Sequence, residues 1–523
     1  RRSFPFRLEK APSPAHYVRF MKNPGLVIIL FLLMILSAAA QTNPSLVATN
    51  TVVGGRRMSL QDCIQEALHH NLDVQIQRYN PEIALYGLRA SYGGFDPTYN
   101  FSGTHNLNVQ PGGFYEGLPL PSETTKNTSF SSSIGSELPF GGLQYSFSGS
   151  INQQHFLSPP NPPSSSGTIG VQLTQPLLRG FWIDNTRLTI KVAKITLQND
   201  EQGFREQVIT SVTAVENAYY NLIYQLENVK VQQEAVSLAQ TQLDQDKQRM
   251  QIGTLAQLSV EQDESQLAQN KATLITAESQ TSGAEVTLKN LLTDNYAAWQ
   301  GVEVQPTEPL TAPLVLFDLQ DSWSKALTQR PDLLQARLSV QQQGVQLKFL
   351  RNQLFPELDV VGSYGYNGEG TVYSQAFGQI NQGNAPYYSY GAQVSIPLLN
   401  QNARNQYKSG KVTLQQLLLQ LKQKEQSIMV QVDNDVATAQ SDYESVQATR
   451  EARMYAEAAL AAEQKTYAVG KATTFEVLQY QNSLTTARGQ EIQALANYEE
   501  ALATLSADEG STLDKLGINI EAD

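Results

Sequence analysis

Few residues in this sequence combine a type and a spacing that could make or break bonds. His69 and His70 are adjacent, so on a helix they point to different sides and cannot close on one ion; they read as surface or interface residues. Cys63 is the only cysteine, which excludes a disulfide framework and a cysteine-based zinc site, and in an amphipathic helix it reads as a small buried residue. No nucleophile elbow, phosphate-cradling Walker loop, dinucleotide fingerprint or His-Glu-x-x-His zinc helix occurs. The reading is therefore of a chain with no catalytic residue, no cofactor and no metal site, and not of an enzyme. Its function must lie in its elements.

Those elements are marked first by what is missing. None of the 23 prolines falls in 177–305 or 398–523, about half of the 523 residues, which predicts two long helical regions. The 37 basic against 49 acidic residues give a net charge of −12, so nucleic acid is not a partner. Residues 25–36 form the only strongly apolar run, preceded by Lys22 and followed by Ser37-Ala38-Ala39-Ala40. A basic flank, a short apolar core and small residues read as an export signal over 1–40, cut after Ala40, with an upstream extension before Met21. The apolar run would rise only ~18 Å as a helix, short of a ~30 Å hydrocarbon core. Export leaves a protein that is soluble outside the cytoplasm or a β-barrel.

Two halves of the chain echo each other. Ala67-Leu68, Asp73, Leu88, Pro97 and Gly103 match Ala326-Leu327, Asp332, Leu347, Pro356 and Gly362 at one offset, and Gly253 later pairs with Gly470. The reading is an internal duplication. After a flexible N-terminus (41–57), a first repeat spans 58–322: helix 58–94, β region 95–175 with an extra hairpin, long helices 177–293 and linker 294–322. A second spans 323–506: helix 323–355, β region 356–397 and long helices 398–506. A tail follows over 507–523.

In the first long helix Val208, Val215, Leu222, Val229, Val236, Leu243 and Met250 recur every seven residues, with Val212, Tyr219 and Leu226 as companions, later replaced by Gln233, Gln240 and Lys247. That period predicts a left-handed coiled coil, and Met429, Val432, Val436, Tyr443, Val446 and Leu460 repeat its phase. The other faces are rich in Gln, Ser, Thr and Asn and must be wetted, as a solvated rod or as the inner wall of a tube. The β regions alternate with period two. Tyr99, Phe101, Leu107 and Val109 interleave with Asn100, Ser102, Asn106 and Asn108, and strands at 168–175, 357–367 and 387–396 do likewise. Four strands cannot close a membrane barrel, but twelve from three chains can. The hairpin 128–137 and 143–152 would either widen that barrel or project outside it.

Together these residues resemble the TolC-like outer-membrane efflux and export family. The match covers about 58–506. It rests on Ala326-Leu327-x-x-Arg330-Pro331-Asp332-Leu333-x-x-Ala336, its echo Ala67-Leu68-x-x-Asn71-Leu72-Asp73, Phe355-Pro356 and Phe95-Asp96-Pro97 opening strands, Ile396-Pro397-Leu398, and Tyr467-Ala468-Val469-Gly470 followed by Phe475-Glu476-Val477-Leu478. The fold class this implies is an α+β membrane protein: a trimeric transmembrane β-barrel, four core strands per protomer, continued by a long α-helical coiled-coil periplasmic barrel.

The resemblance further implies a homotrimer in outer-membrane lipid, docked onto a periplasmic adaptor and an inner-membrane transporter of an efflux or type I secretion system in a diderm bacterium. It makes Ile252-Gly253-Thr254 and Val469-Gly470-Lys471 the adaptor-docking turns and gives Glu476 an acidic entrance ring. The second acidic position reads Gln479 here. Tyr467 matches an entrance-holding tyrosine whose acidic partner's position reads Ser259, and Ala472 replaces a basic gate residue. The competing class is a secreted coiled-coil structural or adhesin-like protein without channel activity, which would share the signal and the Gln-rich helices.

Overall fold

The computed structural model describes residues 55–519 except Leu120 and Pro159. The export signal lies outside the described residues. The element order is β1 (Arg56–Met58), α1 (Leu60–His70), α2 (Leu72–Ser91), β2 (Thr98–Gln110), a small hairpin of β3 (Phe114–Tyr115) and β4 (Leu118–Pro119), β5 (Glu123–Glu137), β6 (Gln144–Ser158), β7 (Ser164–Pro176), α3 (Asn185–Gln251) and α4 (Gln257–Leu292). Then come β8 (Val304–Pro306), α5 (Leu319–Gln329), α6 (Pro331–Asn352), β9 (Glu357–Gly370), α7 (Tyr373–Gln382), β10 (Pro386–Ser395), α8 (Gln401–Ala468), α9 (Thr474–Glu509) and α10 (Thr512–Leu516).

The helix expected over 58–94 is two helices, because Asn71 leaves helical geometry and its carboxamide oxygen accepts from the backbone N–H groups of Asp73 and Val74. The helix expected over 323–355 is likewise broken. Pro331 opens α6, Arg330 Nε donates to Asp332 Oδ1 at 3.0 Å, and Lys424 Nζ lies 2.8 Å from Asp332 Oδ2. The family-like motif is thus a helix break opened by proline and braced by ion pairs on Asp332.

The chain forms two compact units that interleave rather than follow the two halves. One comprises described residues 55–75, 207–329 and 431–519; the other comprises 76–206 and 330–430.

The first unit is helical. Val208, Val212, Val215, Tyr219 and Leu222 of α3 are buried, as are Val432, Val436, Val446 and Leu460 of α8. Tyr219 donates from its hydroxyl to the Met58 carbonyl at 3.1 Å and accepts from Thr307 N–H, tying α3 to the parallel pair β1–β8. Nearer Gly253 the seam departs from the strict heptad. Ala235, Ala239, Gln242 and Asp246 are buried beside Leu243, whereas Lys247, the expected companion, is solvent-facing and paired with Glu264 at 2.8 Å. A straight helix drifts about 20° per heptad, which rotates the contact face by this point.

The second unit is built on one antiparallel sheet in the order β10-β9-β7-β6-β5-β2. The four expected core strands, β2, β7, β9 and β10, all belong to it, and the extra hairpin brings the count per chain to six. The extra hairpin, β5–β6, neither projects nor stands apart: β5 pairs with β2 and β6 with β7 along their lengths. Continuous pairing leaves the inserted backbone groups no other partner to seek.

Candidate functional site

The sheet register sorts side chains by face, since directly opposed residues in an antiparallel pair point the same way. Across five pairings, Tyr99, Ile134, Phe147, Val171, Tyr364 and Tyr388 fall in one row on one face. Phe101, Phe130, Ile169, Leu173, Val360, Tyr390 and Val394 share that face. These aromatic and aliphatic side chains stay largely uncovered, with Tyr99 and Phe101 each 65% exposed and Tyr390 85% exposed. Such a contiguous apolar surface does not persist in water.

The opposite face is hydroxyl-rich. Ser102 meets Ser131 at 2.7 Å, Thr104 meets Ser129 at 2.7 Å, Ser150 meets Thr168 at 3.0 Å and Ser363 meets Ser389 at 2.7 Å, each across a strand pair. Among the described residues no helix is long and apolar enough to cross a membrane. The sheet is the element with a lipid-seeking surface.

At the loop end of the apolar face lies α7. Ala376 is buried, and a Cβ placed at Gly368 would fall 2.1 Å from the Ala376 carbonyl oxygen, so the helix sits directly on glycine backbone. Tyr373 meets Phe130 edge-on with ring centroids 6.4 Å apart. Phe377 remains 56% exposed on the helix's outer side.

The helical unit holds the other residues singled out from sequence. Both turns end their long helices in the same way. Gly253 (φ 76°) and Gly470 (φ 72°) take left-handed geometry. Gly253 N–H bonds Met250 O and Thr254 N–H bonds Arg249 O, matched by Gly470 to Tyr467 O and Lys471 to Thr466 O. Ile252 and Val469 are 75% and 70% exposed, leaving two apolar tips uncovered beside Thr254 and Lys471.

Glu476 and Gln479 are exposed near the start of α9. Glu476 is occupied locally: it accepts from Thr473 N–H at 2.7 Å while the Thr473 hydroxyl oxygen accepts from Glu476 N–H, a reciprocal capping box. The Thr473 backbone hydrogen bond, with that from its side chain, holds the Glu476 carboxyl below the usual carboxylate range.

Tyr467 is buried, and its acidic partner stands not at position 259 but on α3, while within its own hairpin its hydroxyl meets that of Thr474 at 3.0 Å. Its hydroxyl lies 2.6 and 2.7 Å from the two carboxylate oxygens of Asp246 on α3. Thr474 donates to the same carboxylate at 3.1 Å and Gln242 Nε2 at 3.0 Å. The Arg249 guanidinium stacks 4.4 Å from the Tyr467 ring centroid. Asp263 of α4 is fully buried against Asp246, and among the described residues no N–H or O–H donates to either of its oxygens. Burial, then the neighbouring Asp246, push the Asp263 carboxyl up to about 7. Sequence reasoning missed both aspartates. The available signal was a pair of acidic residues flanking Gly253 in a Gln-rich seam, but the ideal heptad points to Lys247.

His70 Nδ1 lies 3.3 Å from Asp294 Oδ2, a carboxylate 224 positions further along the chain that no local spacing points to; the His69 and His70 ring centroids are 6.5 Å apart. Cys63 is buried, and burial pushes its thiol up to about 12. Among the described residues no group of three or more His, Cys, Asp or Glu side chains could hold a metal ion.

A sheet apolar on one face and hydroxylated on the other, in a chain that also carries long helices, has the pattern of a membrane channel protein. The model of the outer membrane efflux protein family matches residues 140–293 and 323–510, more than half of the chain, and the chain belongs to that family. It is an outer-membrane efflux channel extending into the periplasm, in a family of ducts rather than enzymes. The chain is 24% identical over 382 residues to the outer membrane efflux protein BepC of Brucella suis, covering 71% of this chain and 78% of that one. It is 24% identical over 384 residues to the outer membrane protein TolC of Escherichia coli, covering 70% and 74%. Among solved structures, the CmeC outer membrane channel of Campylobacter jejuni superposes with a TM-score of 0.63 at 13% identity, covering 88% of this chain and 90% of that one.

Proposed function

We propose that three copies of this chain join edge to edge into a passive duct that takes substrates from a periplasmic adaptor and an inner-membrane pump to the exterior. The observation that carries this reading is the two-faced sheet, in which no strand among the described residues pairs with the far side of β2 or β10. An open edge in lipid strands its backbone N–H and C=O groups, so pairing of β10 with β2 of the next copy is the physical remedy. Three such sheets make 18 strands rather than 12, because β5–β6 belong to the wall. A barrel of that size leaves an aqueous lumen, and its lining is the Ser/Thr/Asn/Gln face. The α7 helix suits the outer rim, with Phe377 directed to the headgroup boundary.

In this reading the duplicated helical hairpins form the periplasmic end. The exposed tips Ile252-Gly253-Thr254 and Val469-Gly470-Lys471 take the adaptor, and Glu476 with Gln479 lines the entrance near Tyr467. A ring of Glu476 carboxylates would favour cations. Duct action needs no bond chemistry, only a partner that favours the open entrance.

The test is conductance and polymer exclusion of purified protein in planar bilayers, beside a variant lacking β5–β6. The full chain should form the wider pore and run as a heat-labile trimer that resists high-salt washing of outer membranes. Equal pore sizes in the two proteins would remove the hairpin from the wall. Recovery as a soluble filament would favour a secreted coiled-coil protein. Unchanged cation preference in Glu476→Ala would remove the entrance ring.

A further inference from the structure

Four helix ends converge on one carboxylate. Asp246 on α3 accepts hydrogen bonds from Tyr467 on α8, Thr474 on α9 and Gln242 one turn back, and it is wholly buried. Asp263 on α4 faces it, also wholly buried, with both oxygens lacking any donor among the described residues. Two ionised carboxylates in contact away from water repel strongly and cannot both be satisfied. The arrangement satisfies both only if one proton sits between them, donated by Asp263 to Asp246.

We propose that Asp246 and Asp263 bind a single exchangeable proton, and that this proton fastens the end of the α3–α4 hairpin where it meets α8 and α9. Among the described residues no cationic group acts on the Asp263 carboxyl. From α3, Arg249 lies over the Tyr467 ring, while Lys247 is engaged at the surface with Glu264 of α4. From α8 the pair meets Tyr467 and from α9 the uncharged Thr474, while Glu476 is turned outward into its capping box.

A metal cation fits less well than a proton. Tyr467, Thr474 and Gln242 present hydrogens, not lone pairs, toward Asp246. The rise of the Asp263 carboxyl through burial agrees with a held proton. When the proton leaves, the two anions drive α3 and α4 apart beside the tip Ile252-Gly253-Thr254. Under the channel reading above, that is the periplasmic entrance, so alkalinity loosens it and acidity closes it.

The experiment is hydrogen exchange on the purified full chain in detergent from about pH 5 to about pH 9, corrected for intrinsic exchange, with infrared detection of the protonated carboxyl. Segments around 243–267 and 460–484 should lose protection by up to about tenfold per pH unit as the proton dissociates. In Asp263→Asn a neutral amide donates permanently to Asp246. Those segments should then stay protected throughout, and the protonated-carboxyl band seen in wild type should vanish.

Wild-type protection that ignores pH, an infrared band that survives Asp263→Asn, or a seam that responds to added Ca²⁺ or chelator instead of pH would each overturn the proposal. If Asp263→Asn misfolds, the wild-type infrared titration alone decides. Both readouts are independent of conductance, so failure here is distinct from failure of the duct reading.

Discussion

The two hairpin turns of the helical unit stop their first helices identically and start their second ones differently. α3 and α8 each end in a left-handed glycine with the same pair of backbone hydrogen bonds. α9 then begins with the reciprocal Thr473–Glu476 cap, whereas α4 begins at Ala256 with no side-chain cap at all. The second hairpin is therefore closed by local chemistry. The first lacks that cap; it holds by its own apolar seam of Ala239, Leu243, Val260 and Leu267 and draws in addition on the Tyr467 and Thr474 hydroxyls that bond Asp246. Equivalent geometry does not mean equivalent stability, and the weaker hairpin carries the buried carboxyl pair.

Substitutions can break this asymmetry. Asp246→Ala should be the most damaging, costing about 3 kcal/mol because three donors lose their acceptor in a dry seam, with protection lost in both hairpins by hydrogen exchange. Tyr467→Phe should cost about 2 kcal/mol, the worth of a hydrogen bond to a charged group, and should loosen α3–α4 more than α8–α9. Gly253→Ala and Gly470→Ala meet no atoms within 4 Å, so each should cost about 1 kcal/mol for its left-handed backbone alone, and equally. Unequal losses would show that the turns are not alike. Thr473→Ala should cost about 1 kcal/mol in α9, while Ala256→Ser should gain roughly 0.5 kcal/mol in α4 by adding the missing cap.

The pH dependence has a definite sign. The Asp263 carboxyl rises from 3.8 to about 7 in the folded chain, so the folded state binds the proton more tightly than the unfolded one. Its contribution is complete below about pH 4 and is lost as pH rises through about 7, so thermal unfolding of the helical unit should move to lower temperature over that interval. Asp263→Asn should flatten that slope.

How much was legible in the sequence differs between the units. Period-two alternation identified Tyr99, Phe101, Tyr388 and Tyr390 as one class of side chain, and the register puts them on one face. The pairing of β5 with β2 could not be read, because an antiparallel partner is chosen by backbone groups that every residue carries alike. Heptads found Val208 to Leu222, where the seam is apolar and the period strict. They missed Asp246, since helical drift carried the contact face to a polar residue that pattern reading assigns to solvent. Tyr467 was reached through resemblance, but its partner lies over two hundred residues earlier in the chain and no local spacing encodes it.

The meander of six strands has an arithmetical corollary. A hairpin inserted between two neighbours sends the chain out and brings it home on the side it left, so every connection before and after keeps its address. Growth in pairs thus alters girth without rewiring anything else, and the exit of such a conduit can be rescaled by one excision or one duplication while its machinery stays untouched.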